Sequence, residues 1–133
     1  MASGELEKTE KITINLGLVD LGQIDLLVQE GFYTNRTDFI RTAIRSQLAA
    51  RAEALDQTAA RRTLALGSSH YSRTELEEIH ATGRMIHIRV LGLASIAADV
   101  SPDLALATIA SVEVLGAFRA PAAVKAALAS RTV

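Results

Sequence analysis

Hydrophobic and polar residues alternate in the segment from Lys11 to Leu16, where Ile12, Ile14 and Leu16 occupy every second position. A period of two predicts a β-strand that buries one set of side chains and presents the other. One strand is not stable alone, and no second alternating run follows nearby. The simplest partner is the same strand of another copy, paired antiparallel about a two-fold axis. The pattern therefore predicts a homodimer built on a two-stranded ribbon.

Helical patterns follow the alternation. The apolar residues between positions 19 and 30 recur on one helical face, and they are Leu21, Ile24, Leu27 and Val28. Gly31 stands where a left-handed C-cap is expected. A second helix is predicted to begin at a cap formed by Thr34 or Asn35, with Asp38 in its first turn. Its buried stripe comprises Phe39, Ile40, Ala43, Ile44 and Leu48.

A two-stranded ribbon fits the major groove of DNA, where side chains can donate to or accept from base edges. The outward side chains of the predicted strand are of suitable types, namely Lys11, Thr13 and Asn15. The start of the second helix offers backbone N–H groups and polar side chains to a phosphate. Its first residues are Asn35, Arg36 and Thr37.

Residues 10–50 resemble the ribbon-helix-helix superfamily of small dimeric DNA-binding proteins, which includes MetJ-, Arc- and CopG-like proteins. The resemblance lies in the strand 11–16, the segment 31–41 and the spacing between them, although many members have proline where this chain has Gly17. It implies base contacts from Lys11, Thr13 and Asn15, and phosphate contacts from Asn35, Arg36 and Thr37. The implied dimer core comprises Ile12, Ile14, Leu16, Leu27, Phe39, Ile40 and Ile44.

The composition of the chain suits one or two small domains, because 49% of its 133 residues are hydrophobic. Without cysteine, neither a disulfide framework nor a thiolate metal site can form. Residues 1–9 are polar and are predicted to be a flexible arm, and no apolar run is long enough for a bilayer. We therefore expect a cytoplasmic, nucleoid-associated protein with no membrane partner.

Residues 11–51 contain five basic and four acidic residues, so the DNA-binding prediction depends on motif rather than charge.

The second half of the chain shows a repeat. Residues 51–62 are strong helix formers and are predicted to be a helical extension or linker. Three apolar segments then end in glycine, at Gly67, Gly92 and Gly116, which are 25 and 24 residues apart. Such a period is typical of units that stack their apolar faces on one another.

Helix signals lie between these apolar segments. Ser72 begins a capping box, Ser101 precedes a proline and an acid, and Pro121 precedes an alanine-rich segment. An alternation of strands and helices in one sheet requires parallel strands with right-handed crossovers. The predicted class is α+β, with a ribbon-helix-helix domain at 10–50 and a small α/β module at 63–133. This module is either a short right-handed βα solenoid of about three 24–25-residue turns or an ordinary α/β domain with a coincidental repeat.

So small a sheet has two open edges, whose backbone groups need cover or a partner. The last apolar segment is the candidate oligomer interface, with Val112, Val114 and Leu115 as its residues. We therefore predict that residues 63–133 assemble dimers into larger homo-oligomers.

Other chemistry finds little support in the sequence. Glu77 and His80 are spaced to share a metal on a helix, but no cysteine and no second such pair accompanies them. Ser72 near His70 matches no nucleophile pattern, and no glycine-rich phosphate loop is present. We expect no catalytic residues, no metal and no cofactor, and therefore no enzyme.

The predicted function is that of a dimeric, sequence-specific DNA-binding protein, a transcriptional repressor of bacterial type that inserts its ribbon into the major groove of double-stranded DNA. Two alternatives stay open. One is the antitoxin of a toxin-antitoxin pair, with a protein toxin as its partner. The other is a polymerising scaffold that organises DNA. The sequence does not reveal the operator, the regulated genes or an effector.

Overall fold

The computed structural model describes residues 8–133 and divides them into two compact units, one of Thr9–Thr58 and one of Lys8 with Ala59–Val133. The predicted arm at 1–9 lies almost wholly outside the described residues. The elements are α1 (Leu18–Gln29), α2 (Arg36–Ala50), α3 (Ala52–Arg61), β1 (Ala65–Tyr71), α4 (Arg73–Ala81), β2 (Ile86–Ile96), α5 (Pro102–Thr108), β3 (Ile109–Arg119) and α6 (Ala122–Ala127), followed by a 3-10 turn at Ala129–Arg131. This mixture of helices and strands agrees with the α+β class.

The end of α1 is set by glycine, as predicted. Gly31 has a φ of +85° and donates its N–H to the carbonyl of Val28 at 3.1 Å. Phe32 donates to the carbonyl of Leu27 at 3.0 Å, which completes a Schellman motif. These two bonds satisfy the last carbonyls of α1 and turn the chain sharply toward α2.

The start of α2 is capped by Asn35, also as predicted. The Oδ1 atom of Asn35 accepts from the N–H of Asp38 at 2.8 Å, and Oδ2 of Asp38 accepts from the N–H of Thr34 at 2.9 Å. The helix ends at Ala50 because Arg51, with φ −107° and ψ 11°, leaves helical geometry. The predicted helical extension is therefore a separate helix, α3, that begins after this break.

The three strands form one parallel sheet in the order β1-β2-β3. Its register places Gly67 opposite Gly92 and Gly92 opposite Gly116. Each strand continues beyond its glycine, to Tyr71, Ile96 and Arg119. The strands can continue because all three glycines have positive φ, at +126°, +141° and +119°, a region that residues with a Cβ atom rarely enter.

Helices α4, α5 and α6 cover one face of the sheet. The predicted caps of α4 and α5 are present, since Oγ of Ser72 accepts from the N–H of Glu75 and Oγ of Ser101 from that of Leu104, both at 3.1 Å. The shared core contains Leu76, Ile88, Val90, Val100, Ala105, Ile109, Val112, Val124 and Leu128. The register aligns a row of leucines on the sheet, Leu66, Leu91 and Leu115.

Candidate nucleic-acid interface

The segment at 11–16 belongs to no helix and to no hydrogen-bonded strand in the single chain. It leads directly into α1, because Gly17 is an extended N-cap with φ −62° and ψ 147°. A strand ladder needs hydrogen bonds from a second strand, and no strand within residues 8–133 pairs with this segment. All three predicted base contacts, Lys11, Thr13 and Asn15, are exposed. Their place on a ribbon stays a prediction.

The apolar side chains of this unit have almost no core of their own. Ile24, at 7% exposure, is the only buried hydrophobic residue in the fully described stretch 9–58. Ile12 and Ile14 are 74% and 60% exposed, and Ile44 is 49% exposed. The other predicted core residues are Leu16, which is also exposed, and Leu27, Phe39 and Ile40, which are half-buried. So many exposed large apolar side chains in one small unit are unusual on a soluble monomer.

The three predicted phosphate contacts differ in what they already bind. The side-chain oxygen Oδ1 of Asn35 already accepts the N–H of Asp38 in the cap of α2. Arg36 forms a bidentate pair with Asp25 of α1, with Nε–Oδ1 at 2.7 Å and Nη2–Oδ2 at 2.8 Å. Thr37 is exposed in the first turn. The pair between Arg36 and Asp25 was not predicted, because its partners lie on different helices and are eleven residues apart.

This ion pair changes the titration of both partners. The hydrogen bond from Arg36 lowers the pKa of the Asp25 carboxyl, and the same bond raises the pKa of the Arg36 guanidinium. Both groups are therefore charged at neutral pH. Because Asp25 offsets part of the positive charge of Arg36, this guanidinium attracts a phosphate less strongly than an unpaired one would.

A cleft of about 340 Å³ lies at the start of α2. It is lined by Thr34, Asn35, Thr37, Asp38, Arg41 and Arg45. Arg41 and Arg45 are four residues apart, so both guanidinium groups project from one side of the helix. The sequence prediction did not include these two arginines among the phosphate contacts. Their spacing behind a capped helix start is the signal that identifies them.

The predicted oligomer interface residues have unequal exposure. Val112 is completely buried, so its side chain cannot face a second copy. Val114 is half-buried against the core, whereas Leu115 is 43% exposed. Of the three, Leu115 is the best placed to contact another chain.

Other sites in the described part of the chain are few. No group of three His, Cys, Asp or Glu residues in 8–133 is arranged to hold a metal ion. His87 lies with Nδ1 at 2.7 Å from Oγ of Ser111, and His70 lies likewise beside Ser95. None of the helices described for residues 8–133 has the length and apolar character to cross a membrane.

Comparison with known proteins gives one match. A family model described as the ribbon-helix-helix transcriptional regulator family matches residues 7–125. Neither the curated proteins nor the solved structures contain a significant match. The family match covers both units of the chain, whereas the sequence resemblance was confined to residues 10–50.

Proposed function

The chain belongs to the ribbon-helix-helix transcriptional regulator family, and on that premise we propose that it is a cytoplasmic, homodimeric repressor that binds specific sites on double-stranded DNA. The observation that carries this proposal is the near absence of a core in residues 9–58. An apolar set this exposed is buried most simply against the same set of a second copy. Pairing of the two 11–16 segments then forms the antiparallel ribbon.

The ribbon supplies the proposed sequence readout. Lys11, Thr13 and Asn15 share the face opposite Ile12 and Ile14 once the segment is a strand, and this face enters the major groove. A good pair of hydrogen bonds to a base is worth about 1–3 kcal/mol of discrimination. These three side chains therefore select the operator.

Residues at the start of α2 are proposed to contact the phosphates of the DNA backbone. The N–H groups in its first turn carry the positive end of the helix dipole, and Arg41 and Arg45 add charge at the same cleft. Asn35, Arg36 and Thr37 complete the set. Such contacts position the protein without reading sequence, because phosphates are alike along the duplex.

The α/β unit supplies the proposed assembly of dimers. Its glycines repeat at 25 and 24 residues and are adjacent in the sheet, which supports a short right-handed βα solenoid. Joined dimers bind neighbouring operators more tightly because the second contact is intramolecular. The antitoxin alternative gains nothing from this unit, since residues 59–133 are already folded without a toxin.

The test combines sedimentation with DNA footprinting on genomic fragments. We expect a dimer or its multiples at all concentrations where the protein is folded, and protection of a small number of sites with a shared sequence. A folded monomer would contradict the shared core. Protection without sequence preference would favour the DNA-organising scaffold.

A further inference from the structure

The two edges of the sheet are unequal. Among the described residues, β1 pairs only with β2. The outer edge of β3 is covered at its beginning by the end of the chain, where Thr132 bridges to Val112 in parallel and the N–H of Val133 donates to the carbonyl of Val112 at 2.9 Å. No described strand pairs with that edge from Val114 to Phe118. Each edge therefore leaves backbone groups for a further strand.

Gly67 of β1 shares the positive φ of Gly92 and Gly116 but lacks the close carbonyl contact that each of those glycines makes. At Gly92, the place of a Cβ atom is occupied by the carbonyl oxygen of Gly67, and at Gly116 by that of Gly92. Gly67 also has a positive φ, yet no atom of the described residues 8–133 lies within 4 Å of its Cβ position. At Gly92 and Gly116 the corresponding space is filled by the glycine carbonyl of the preceding strand.

The length of β1 matches the uncovered part of β3. Ala65 pairs with Val90, and Val90 pairs with Val114. The same register, applied between two copies, sets Ala65 of one copy beside Val114 of the other. This pairing would begin two residues after Val112, the residue that Thr132 and Val133 contact. It would also bring Gly67 beside Gly116.

We propose that β1 of one copy adds in parallel to the free edge of β3 of another copy, with the carbonyl of Gly116 seated at Gly67. The row of leucines then continues across the junction, where Leu66, at 79% exposure, packs on Leu115. The occupant is thus a second copy of this chain. The interface joins two different edges, so it repeats from copy to copy and yields chains of molecules rather than closed pairs.

This inference deepens the assembly role proposed above and depends on it, but it does not require DNA binding. The chain has no cysteine, so engineered cysteines report single contacts. The double variant Ser68→Cys/Ala117→Cys places one thiol on each edge at positions that are paired across the proposed junction. Within one chain these positions are separated by β2, at roughly 10 Å, which is too far for a disulfide.

Full-length protein is oxidised with copper phenanthroline and separated under denaturing conditions. We expect covalent dimers, trimers and higher multiples from the double variant, and at least ten-fold less product from either single variant. The matched control Ser68→Cys/Ser111→Cys shifts one thiol six residues along β3 and should give no ladder. Absence of multiples from the first double variant overturns the proposal. Strong dimers from one single variant also overturn it, because they indicate antiparallel pairing of identical edges.

A second variant tests the glycine itself. Gly67→Ala in the Ser68→Cys/Ala117→Cys background should reduce the covalent multiples at least ten-fold, with the circular dichroism spectrum retained. If the yield of covalent multimers were unchanged, the proposed contact between the Gly116 carbonyl and Gly67 would be wrong. DNA binding is measured on the same samples. A protein that binds its site but forms no ladder refutes this inference alone, and one that forms the ladder without binding DNA refutes the proposed function alone.

Discussion

Arg36 at the start of α2 is joined to Asp25 in the middle of α1 by two hydrogen bonds of 2.7 and 2.8 Å. The pair links the two helices, and Arg36 is not among the residues that line the cleft of Arg41 and Arg45. Both side chains are substantially exposed, at 55% for Arg36 and 42% for Asp25. An exposed pair stabilises little, so its larger effect is expected on DNA binding.

Replacement of Arg36 by alanine should weaken binding to operator and unrelated DNA by a similar factor. The reason is that a phosphate contact carries no sequence information, and its loss should lower the salt dependence of log K by about one. Fluorescence anisotropy at several salt concentrations measures both. Asp25→Asn is the matched control, because it releases the same guanidinium and should tighten binding. A loss confined to one base position would make Arg36 a reader instead.

Replacement of Thr13 or Asn15 by alanine should reduce discrimination between operator and scrambled DNA. Each side chain is expected to supply about 1–3 kcal/mol of base preference, which corresponds to roughly 5- to 150-fold in affinity ratio. Competition binding measures the ratio, and circular dichroism verifies the fold. An unchanged ratio in both variants would remove the ribbon as the reading element.

The Asp25 carboxyl should titrate below its ordinary pKa of 3.8, because Arg36 stabilises its charged form. A lowered pKa in the folded state adds stability above the unfolded pKa, and this stability is lost as the pH falls through the folded pKa. Carbon-detected NMR titration of Asp25 measures the midpoint. In the Arg36→Ala variant the midpoint should return toward the ordinary value. A midpoint that does not move would show that the pair does not persist in solution.

Replacement of Ile14 by aspartate should prevent folding of residues 9–58. In the proposed dimer Ile14 enters the shared core, where an unpaired carboxylate is strongly unfavourable. Thermal unfolding of the unsubstituted protein should also depend on its concentration, because folding and association are linked. Thr13→Asp, on the neighbouring outward position, is the control and should leave the fold intact. A folded Ile14→Asp protein would place Ile14 outside the core.

Replacement of Gly92 by alanine should destabilise the α/β unit. Backbone strain at positive φ costs about 1–3 kcal/mol, and the added methyl group also meets the carbonyl of Gly67. Gly22→Ala is the control, since Gly22 lies inside α1 with nothing near its Cβ position. That substitution should be neutral or stabilising by up to about 1 kcal/mol. Denaturant unfolding measures both, and equal midpoints for the two variants would contradict the steric role of the glycine row.

Local signals in the sequence predicted much of this fold. The caps at Asn35, Ser72 and Ser101 and the helix end at Gly31 depend on hydrogen bonds between residues at most five positions apart, so short patterns suffice to identify them. The glycine period predicted neighbouring strands because each turn of chain repeats the one before it. These features need no knowledge of distant contacts.

Other features depend on contacts that no local pattern encodes. The three glycines have positive φ and are aligned across the sheet, and each strand continues beyond its glycine. This alignment exists only once the strands have paired. The pair of Arg36 and Asp25 depends on how α1 and α2 meet. In the proposed dimer, the conformation of residues 11–16 depends on pairing with a second chain.

The alignment of Gly67, Gly92 and Gly116 also limits how the length of this protein can change. Duplication or removal of one whole turn, such as residues 93–116, leaves every glycine carbonyl facing a glycine and every core position facing the helices. An insertion of any other length within the strands displaces a side chain into the path of a carbonyl. Gene changes that lengthen or shorten this unit are therefore tolerated in steps of about one turn, while the DNA-binding segment stays untouched.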